Sequence, residues 1–320
     1  SLVVDGDLVI EGAEPVSLSL MNLNIQGDLI LDGVTLTLDL VGGLNVSGDL
    51  ILKNNAVMTV PNALVDTQKI FSLEVEASGV NIEQGSIIDV SGKGYPGVDS
   101  NSGRVWPDFE DTLYYNSRNA CHGGLRVDGA DCSYGRYERA RFPGSAGTKY
   151  SSSTNLGNGG GVIEIYSDSL TLDGDILTNG LEGYYTGGAG GSIHVEAGVL
   201  LGAGRFRANG AKNIKNRTTI GQLSSPGSGG RISLLVKDMS EYSGDYIAAG
   251  GAGSVIAGAG TVYVKNPDNE NGDLFVSNAA KSAAINSTPM RSVGRHIISG
   301  VDEVEVGVWR IEVESSLDVH

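Results

Sequence analysis

The sequence predicts an all-β chain, a right-handed parallel β-helix (solenoid) with a long loop insertion, on three observations. The unit Gly-Asp-Leu recurs at Gly6-Asp7-Leu8, Gly27-Asp28-Leu29 and Gly48-Asp49-Leu50, 21 residues apart both times, and a period of that length marks stacked repeats. The segments between turns alternate in period two, as in Val34-Thr35-Leu36-Thr37-Leu38-Asp39-Leu40, the pattern of a strand and not of a helix. Further on, strands led by small-residue pairs start at Gly160, Gly190, Gly229 and Ala259, at intervals of 30, 39 and 30 residues.

Taken in order, the first sixty residues supply short strands around Leu8-Val9-Ile10, Leu29-Ile30-Leu31 and Leu50-Ile51-Leu52. Asn62 to Gln68 is the best helical candidate, and an irregular corner serves there equally well. Residues 93–160 form a long insertion. Beyond it, each of the first three glycine-led strands is followed by a second one: Leu170 to Ile176, Leu201 to Arg207 and Tyr242 to Ile247. Inward Val, Ile and Leu are expected to stack in ladders, with glycines turning the corners at positive φ. At roughly 25 residues per coil, about ten coils would form a rod near 50 Å long. The expected division is a β-helix over 1–272, including the 93–160 insertion, and a terminal coil set, cap or adjoining module over 273–320. A propeller or sandwich leaves the 21-residue unit unexplained.

Composition narrows the partners. The formal net charge of −16 repels a phosphate backbone, so nucleic acid is not expected. Apolar runs fall far short of the roughly 20 residues that span a bilayer, so no membrane span is expected. Collagen is excluded by irregular glycine spacing and only 8 prolines. The first residues read as strand without a basic leader, which leaves any export signal outside this sequence.

The glycine-marked segments Ile87-Ile88-Asp89-Val90-Ser91-Gly92-Lys93-Gly94-Tyr95-Pro96-Gly97, Cys121-His122-Gly123-Gly124, Gly144-Ser145-Ala146-Gly147, Gly159-Gly160-Gly161-Val162-Ile163 and Gly187-Gly188-Ala189-Gly190-Gly191-Ser192-Ile193 resemble those of β-helical modules in very large bacterial surface and secreted adhesin-like proteins. The resemblance covers about residues 1 to 265. It implies an extracellular or cell-surface setting, with adjoining domains in a larger chain, and specifies a fold better than a reaction. Other β-helices of this general shape are polysaccharide lyases, glycoside hydrolases and phage tail spikes.

Candidate chemistry concentrates in the insertion, which holds both cysteines, one of the two tryptophans and half of the tyrosines. Trp106, Tyr114 and Tyr115, with Tyr134, Tyr137 and Tyr150, offer flat faces to sugar rings, and Asp108, Glu110, Asp111, His122 and Arg126 offer polar contacts. The competing expectation makes these aromatics the loop's own small core. Cys121 and Cys132 read as a disulfide staple for an oxidising compartment, with a metal or reactive thiol beside His122 as the alternative. Asp99-Ser100-Asn101-Ser102-Gly103 alternates oxygen ligands, making Asp99 and Asn101 candidate calcium ligands, although ordinary Asn/Asp/Gly turns account for it and for Asp268 to Asp273. The Gly-Asp corners at Asp7, Asp28, Asp49, Asp175 and Asp245 read as structural acceptors for backbone N–H groups, and His194 as an outward strand residue.

The functional expectation is a non-enzymatic adhesin or matrix module that contacts polysaccharide or cell-surface glycans through the insertion, with calcium as an optional stabiliser. The alternatives are a lyase or glycoside hydrolase working in a groove beside the same insertion, using pairs such as Asp108 with Glu110 or Asp111, and a structural spacer.

Overall fold

The computed structural model describes residues 1–64, 69–97, 120–124, 133–147, 157–184, 186–214, 225–253, 255–279, 287–290, 310–313 and 316–319. These residues are all-β, with no helix among them. The chain opens with β1 (Leu2–Val4), β2 (Leu8–Glu11) and β3 (Val16–Leu20), and repeats the set as β4 (Leu23–Ile25), β5 (Leu29–Asp32) and β6 (Thr35–Leu40). From the third repeat the first two strands fuse into one long strand followed by a short one. These pairs are β7 (Leu44–Lys53) and β8 (Val57–Thr59), β9 (Ser72–Ile82) and β10 (Ile87–Asp89), then, after the insertion, β11 (Val162–Leu172) and β12 (Asp175–Leu177). They continue as β13 (Ser192–Leu201) and β14 (Arg205–Arg207), then β15 (Arg231–Asp238) and β16 (Asp245–Ile247). The run ends in β17 (Thr261–Asn266) and β18 (Asn269–Val276), with β19 (Ser287–Met290), β20 (Arg310–Val313) and β21 (Ser316–Val319) beyond.

The strands form a long sheet, β1-β4-β7-β9-β11-β13-β15-β17, and a short sheet, β3-β6-β8-β10-β12-β14-β16, with every neighbouring pair in these two runs parallel. This order is compatible with a β-solenoid. The register reproduces the sequence periods: Leu2 pairs with Leu23 and Leu23 with Leu44, while Val162, Ser192, Arg231 and Thr261 follow one another in register.

In-register parallel pairing turns each inward position into a column. Leu44, Val75, Ile165, Val195, Leu234 and Val264 form one, and Leu36, Met58, Ile88, Ile176 and Phe206 form another from the short sheet. All are buried in a single core cluster between the sheets. Each such side chain contributes roughly 1.5–3 kcal/mol of burial, which is why a chain with only 5 Phe still builds a continuous core.

Three expectations are corrected. The long sheet has eight successive parallel rungs among the described residues, about 34 Å at about 4.8 Å per rung, because β18 turns back antiparallel on β17 and ends that run, although the sheet itself continues to β20. That hairpin also runs through the expected 272/273 boundary. Second, the paired glycines at 160/161, 190/191 and 229/230 do not adopt positive φ. They sit in non-strand segments that hydrogen-bond from repeat to repeat, as in Gly160 N to Ala189 O (2.9 Å) and Gly190 N to Ser228 O (3.0 Å). A Cβ on Gly160, Gly190 or Gly230 would collide with the backbone carbonyl of Thr178, Ala208 or Gly191, respectively, so close approach excludes side chains there. Third, of the Gly-Asp corners only Asp7 and Asp28 are seen as backbone acceptors among the described residues. Asp7 Oδ1 accepts from Asp28 N (2.9 Å) and Asp28 Oδ1 from Asp49 N (2.8 Å), whereas Asp175 pairs with Arg205 and Asp245 with Arg207.

Candidate functional site: a groove along the long sheet

Outward positions of the long sheet also stack into columns. One runs Asn24, Asn45, Glu76, Tyr166, Glu196, Leu235, Lys265 across seven consecutive rungs. Beside it the ladder pairing is interrupted. Pairing between β9 and β11 skips from Ser167–Ala77 to Ser169–Gly79, that between β11 and β13 from Ser167–Ala197 to Ser169–Val199, and the β7–β9 register shifts between Val46 and Asp49. Small residues at this interruption, including Ala77, Ser167, Ala197 and Gly198, leave a concave strip of about 840 Å³ that extends across six rungs from Asn45 to Lys265. Six rungs span about 24 Å. This is an open groove parallel to the stack axis, with Glu76, Asp168, Glu196, Lys237 and Lys265 among its charged lining groups. Among the described residues no ion pair engages Glu76, Asp168, Lys237 or Lys265.

Residues 133–147 of the insertion form a strap over the neighbouring outward column, Glu164, His194, Ser233 and Tyr263. Arg141 Nε donates to Glu164 Oε2 (2.7 Å) and its Nη2 to the Tyr166 hydroxyl (3.0 Å), which itself donates to Glu164 Oε2 (2.8 Å). Phe142 N donates to Ser192 Oγ (3.2 Å) and Ala140 N to Ser233 Oγ (3.2 Å), and Tyr137 meets Tyr263 edge-on at 5.4 Å. The strap therefore crosses β11, β13, β15 and β17 and bounds one side of the groove at Tyr166.

His194 is outward on its strand, as expected, yet fully buried because the strap covers it. Its Nε2 lies 3.0 Å from Glu196 Oε1 and its Nδ1 2.5 Å from Ser233 Oγ. The carboxylate can only accept, so Nε2 carries the proton and Nδ1 accepts from the serine hydroxyl. The chain Ala140 N–H to Ser233 to His194 to Glu196 thus links the strap to a groove carboxylate. Burial lowers the His194 pKa against the opposing pull of Glu196. This Ser, His and Glu alignment does not serve as a hydrolytic triad in the arrangement described, since Ser233 is wholly covered and no substrate carbonyl reaches it.

The second buried histidine is His122. It was expected to contact ligand, but it is fully buried. Its Nδ1 donates to Gly190 O (2.8 Å), its backbone N donates to Ser228 Oγ (2.8 Å), and its ring stacks on Tyr134 at 4.7 Å. Burial, reinforced by the Arg231 charge, pushes its pKa down to about 3, so it is neutral and structural. Tyr134 and Tyr137 are likewise buried, which removes them as sugar platforms and makes them the hydrophobic anchors of the insertion. Cys121 is fully buried and is not a free thiol.

Trp106, Asp108, Glu110, Asp111, Tyr114, Tyr115, Arg126, Cys132, Asp99 and Asn101 lie outside the described residues, as does Tyr150. Of Asp268 to Asp273, only Asp268 lies in the β17–β18 turn; the rest belong to β18, where Asn269 Oδ1 accepts from Gly272 N (2.9 Å). Among the described residues no group of three or more His, Cys, Asp or Glu is placed to hold a metal ion, and no helix is long and apolar enough to cross a membrane.

Sequence reasoning expects a groove beside the insertion only for the enzyme alternative and does not name its lining, although that signal is present. Tyr166, Glu196, Leu235 and Lys265 each stand five residues after the second residue of a leading pair, at Gly161, Gly191, Gly230 and Gly260, and aligning the repeats on those pairs would have stacked them. Searches of family models, curated proteins and solved structures return no significant match to this chain.

Proposed function

We propose that this chain is a secreted or cell-surface adhesin or matrix module, a right-handed β-helix that holds a linear glycan non-covalently along the groove of its long sheet. One observation carries this: an open, polar-lined strip running parallel to the stack axis across six rungs, with the Tyr166 ring in its central column. A sugar polymer is long, flexible and rich in hydroxyls, and polar side chains repeated at rung spacing beside an aromatic face suit it. The described part of the insertion serves as the groove's border, in place of the contact surface expected from its aromatics. Its ordering is completed by a Cys121–Cys132 staple, which suits an oxidising, extracellular setting. Calcium bound at Asp99 and Asn101 belongs to the same proposal as an added stabiliser of the insertion.

Binding is favoured over cleavage because the histidine and the tyrosine hydroxyl beside the groove are engaged, which leaves only its carboxylates and lysines for acid or base chemistry. His194 is enclosed behind Glu196, and the Tyr166 hydroxyl is clasped by Glu164 and Arg141, its pKa raised chiefly by burial.

The test is retention on a panel of immobilised neutral and charged polysaccharides, with and without calcium, while reducing and unsaturated ends are followed. Saturable retention without new ends, weakened by Tyr166→Ala, is the expected result. Release of new ends by the intact protein would make it a lyase or hydrolase. Retention of no polysaccharide would leave the module a spacer.

A further inference from the structure

Building on the glycan groove just proposed, we infer that its preferred occupant is a linear amino-glycan, a polymer of hexosamine units with free ammonium groups. The column Glu76, Tyr166, Glu196, Leu235, Lys265 alternates charged and apolar side chains rung by rung. Charged groups thus recur at every second rung, about 9.6 Å apart for rungs of about 4.8 Å. A hexopyranose unit is close to one rung in length, so a chain lying along the groove brings equivalent substituents of alternate sugars to every second rung. The flat or apolar faces of Tyr166 and Leu235 then meet the intervening rings.

The signs of the charges select the polymer. Glu76 and Glu196, with Asp168 beside them, present carboxylates over β9, β11 and β13, and an ammonium group placed there gains charge-assisted hydrogen bonds. Glu196 is pre-oriented by its bond from His194, and Glu76 is exposed and without an ion-pair partner among the described residues. A uronate polymer meets like charge there and an overall net charge of −16. Lys237 and Lys265 at the other end favour an acylated stretch and give the groove a direction.

The test is calorimetric titration of the full chain at low salt with hexamers of glucosamine, N-acetylglucosamine and galacturonate, using wild type, Glu76→Gln, Glu196→Gln and Tyr166→Ala. Gln keeps the acceptor for His194, and unchanged thermal midpoints show that the variants fold. Should Glu196→Gln fail to fold, Glu76→Gln alone decides. The glucosamine hexamer is expected to bind about tenfold more tightly than the acetylated one, with added salt reducing the difference. Each Gln variant should remove most of that preference while leaving the acetylated hexamer unaffected. Equal or tighter binding of the acetylated or galacturonate hexamer, still sensitive to Tyr166→Ala, overturns the ammonium preference alone. Failure of all three hexamers to bind overturns the glycan groove with it.

Discussion

Substituting Gly160 by alanine separates two explanations for the glycine pairs. Gly160 is outside the positive-φ set, so backbone conformation does not forbid alanine. The obstacle is contact: a Cβ there would overlap Thr178 O and come within 2.5 Å of Gly191 N. A relaxed carbon to oxygen contact is about 3.3–3.6 Å, so the backbone must move by more than an ångström. Both groups in the way are hydrogen-bonded to each other, Gly191 N to Thr178 O at 2.7 Å, and Gly160 N is bonded to Ala189 O at 2.9 Å. Loss of each buried bond costs roughly 1–3 kcal/mol, and overpacking adds roughly 1–3 kcal/mol. The expected destabilisation is about 4 kcal/mol, measured by urea unfolding followed by circular dichroism. Gly33 is the control. Its φ is +63° and its nearest Cβ neighbour is 3.5 Å away, so Gly33→Ala should lose about 1–2 kcal/mol and Gly33→Asn clearly less, because asparagine tolerates the left-handed region. Asparagine at 160 should give no such recovery. A loss below about 1 kcal/mol for Gly160→Ala, or recovery with Gly160→Asn, would refute the close-approach explanation.

Stability should fall as the pH drops from 7 to 5. His122 is held neutral with a pKa of about 3 and His194 is shifted down as well, so below about 6.5 the unfolded chain takes up protons that the folded chain refuses. The slope approaches about 1.4 kcal/mol per pH unit for His122, giving about 2 kcal/mol by pH 5 from that residue, with His194 adding in the same direction; a flat unfolding free energy over this window contradicts the assignment. At the Gly-Asp corners, Asp28→Ala removes the acceptor for Asp49 N and should cost about 1 kcal/mol, whereas Asp28→Asn, which keeps an acceptor oxygen, should be close to neutral. Equal losses in the two variants by denaturant titration would show that the ladder does not depend on that bond.

The stacked strands were legible because parallel register copies sequence period directly: the 21-residue spacing of Gly6, Gly27 and Gly48 is the offset of Leu2, Leu23 and Leu44. The glycine pairs were equally visible, but their cause was not. A sequence shows that a side chain is excluded without showing whether φ or a neighbouring carbonyl excludes it. Period two placed His194 on the outward face, but not beneath the strap of residues 133–147, because cover by a segment about fifty residues earlier leaves no local trace. For Tyr134 and Tyr137 the sequence offers both a sugar platform and a buried core of the insertion, and the structure bears out the second; for His122 only the exposed reading was drawn, because a polar ring suits a surface patch as well as a covered site. The groove needed one more step. Its lining is unremarkable strand sequence until the repeats are superposed and Glu76, Tyr166 and Glu196 fall into one column.

The claim that a polymer lies along the stack is tested most directly by the dependence of affinity on ligand length. Titrating the protein with one glycan series from dimer to decamer should show affinity rising unit by unit and levelling off near six sugars, the number of rungs from Asn45 to Lys265, with Tyr166→Ala weakening every member that reaches the centre. An affinity already complete at the disaccharide, or one that Tyr166→Ala leaves unchanged, would contradict a longitudinal groove.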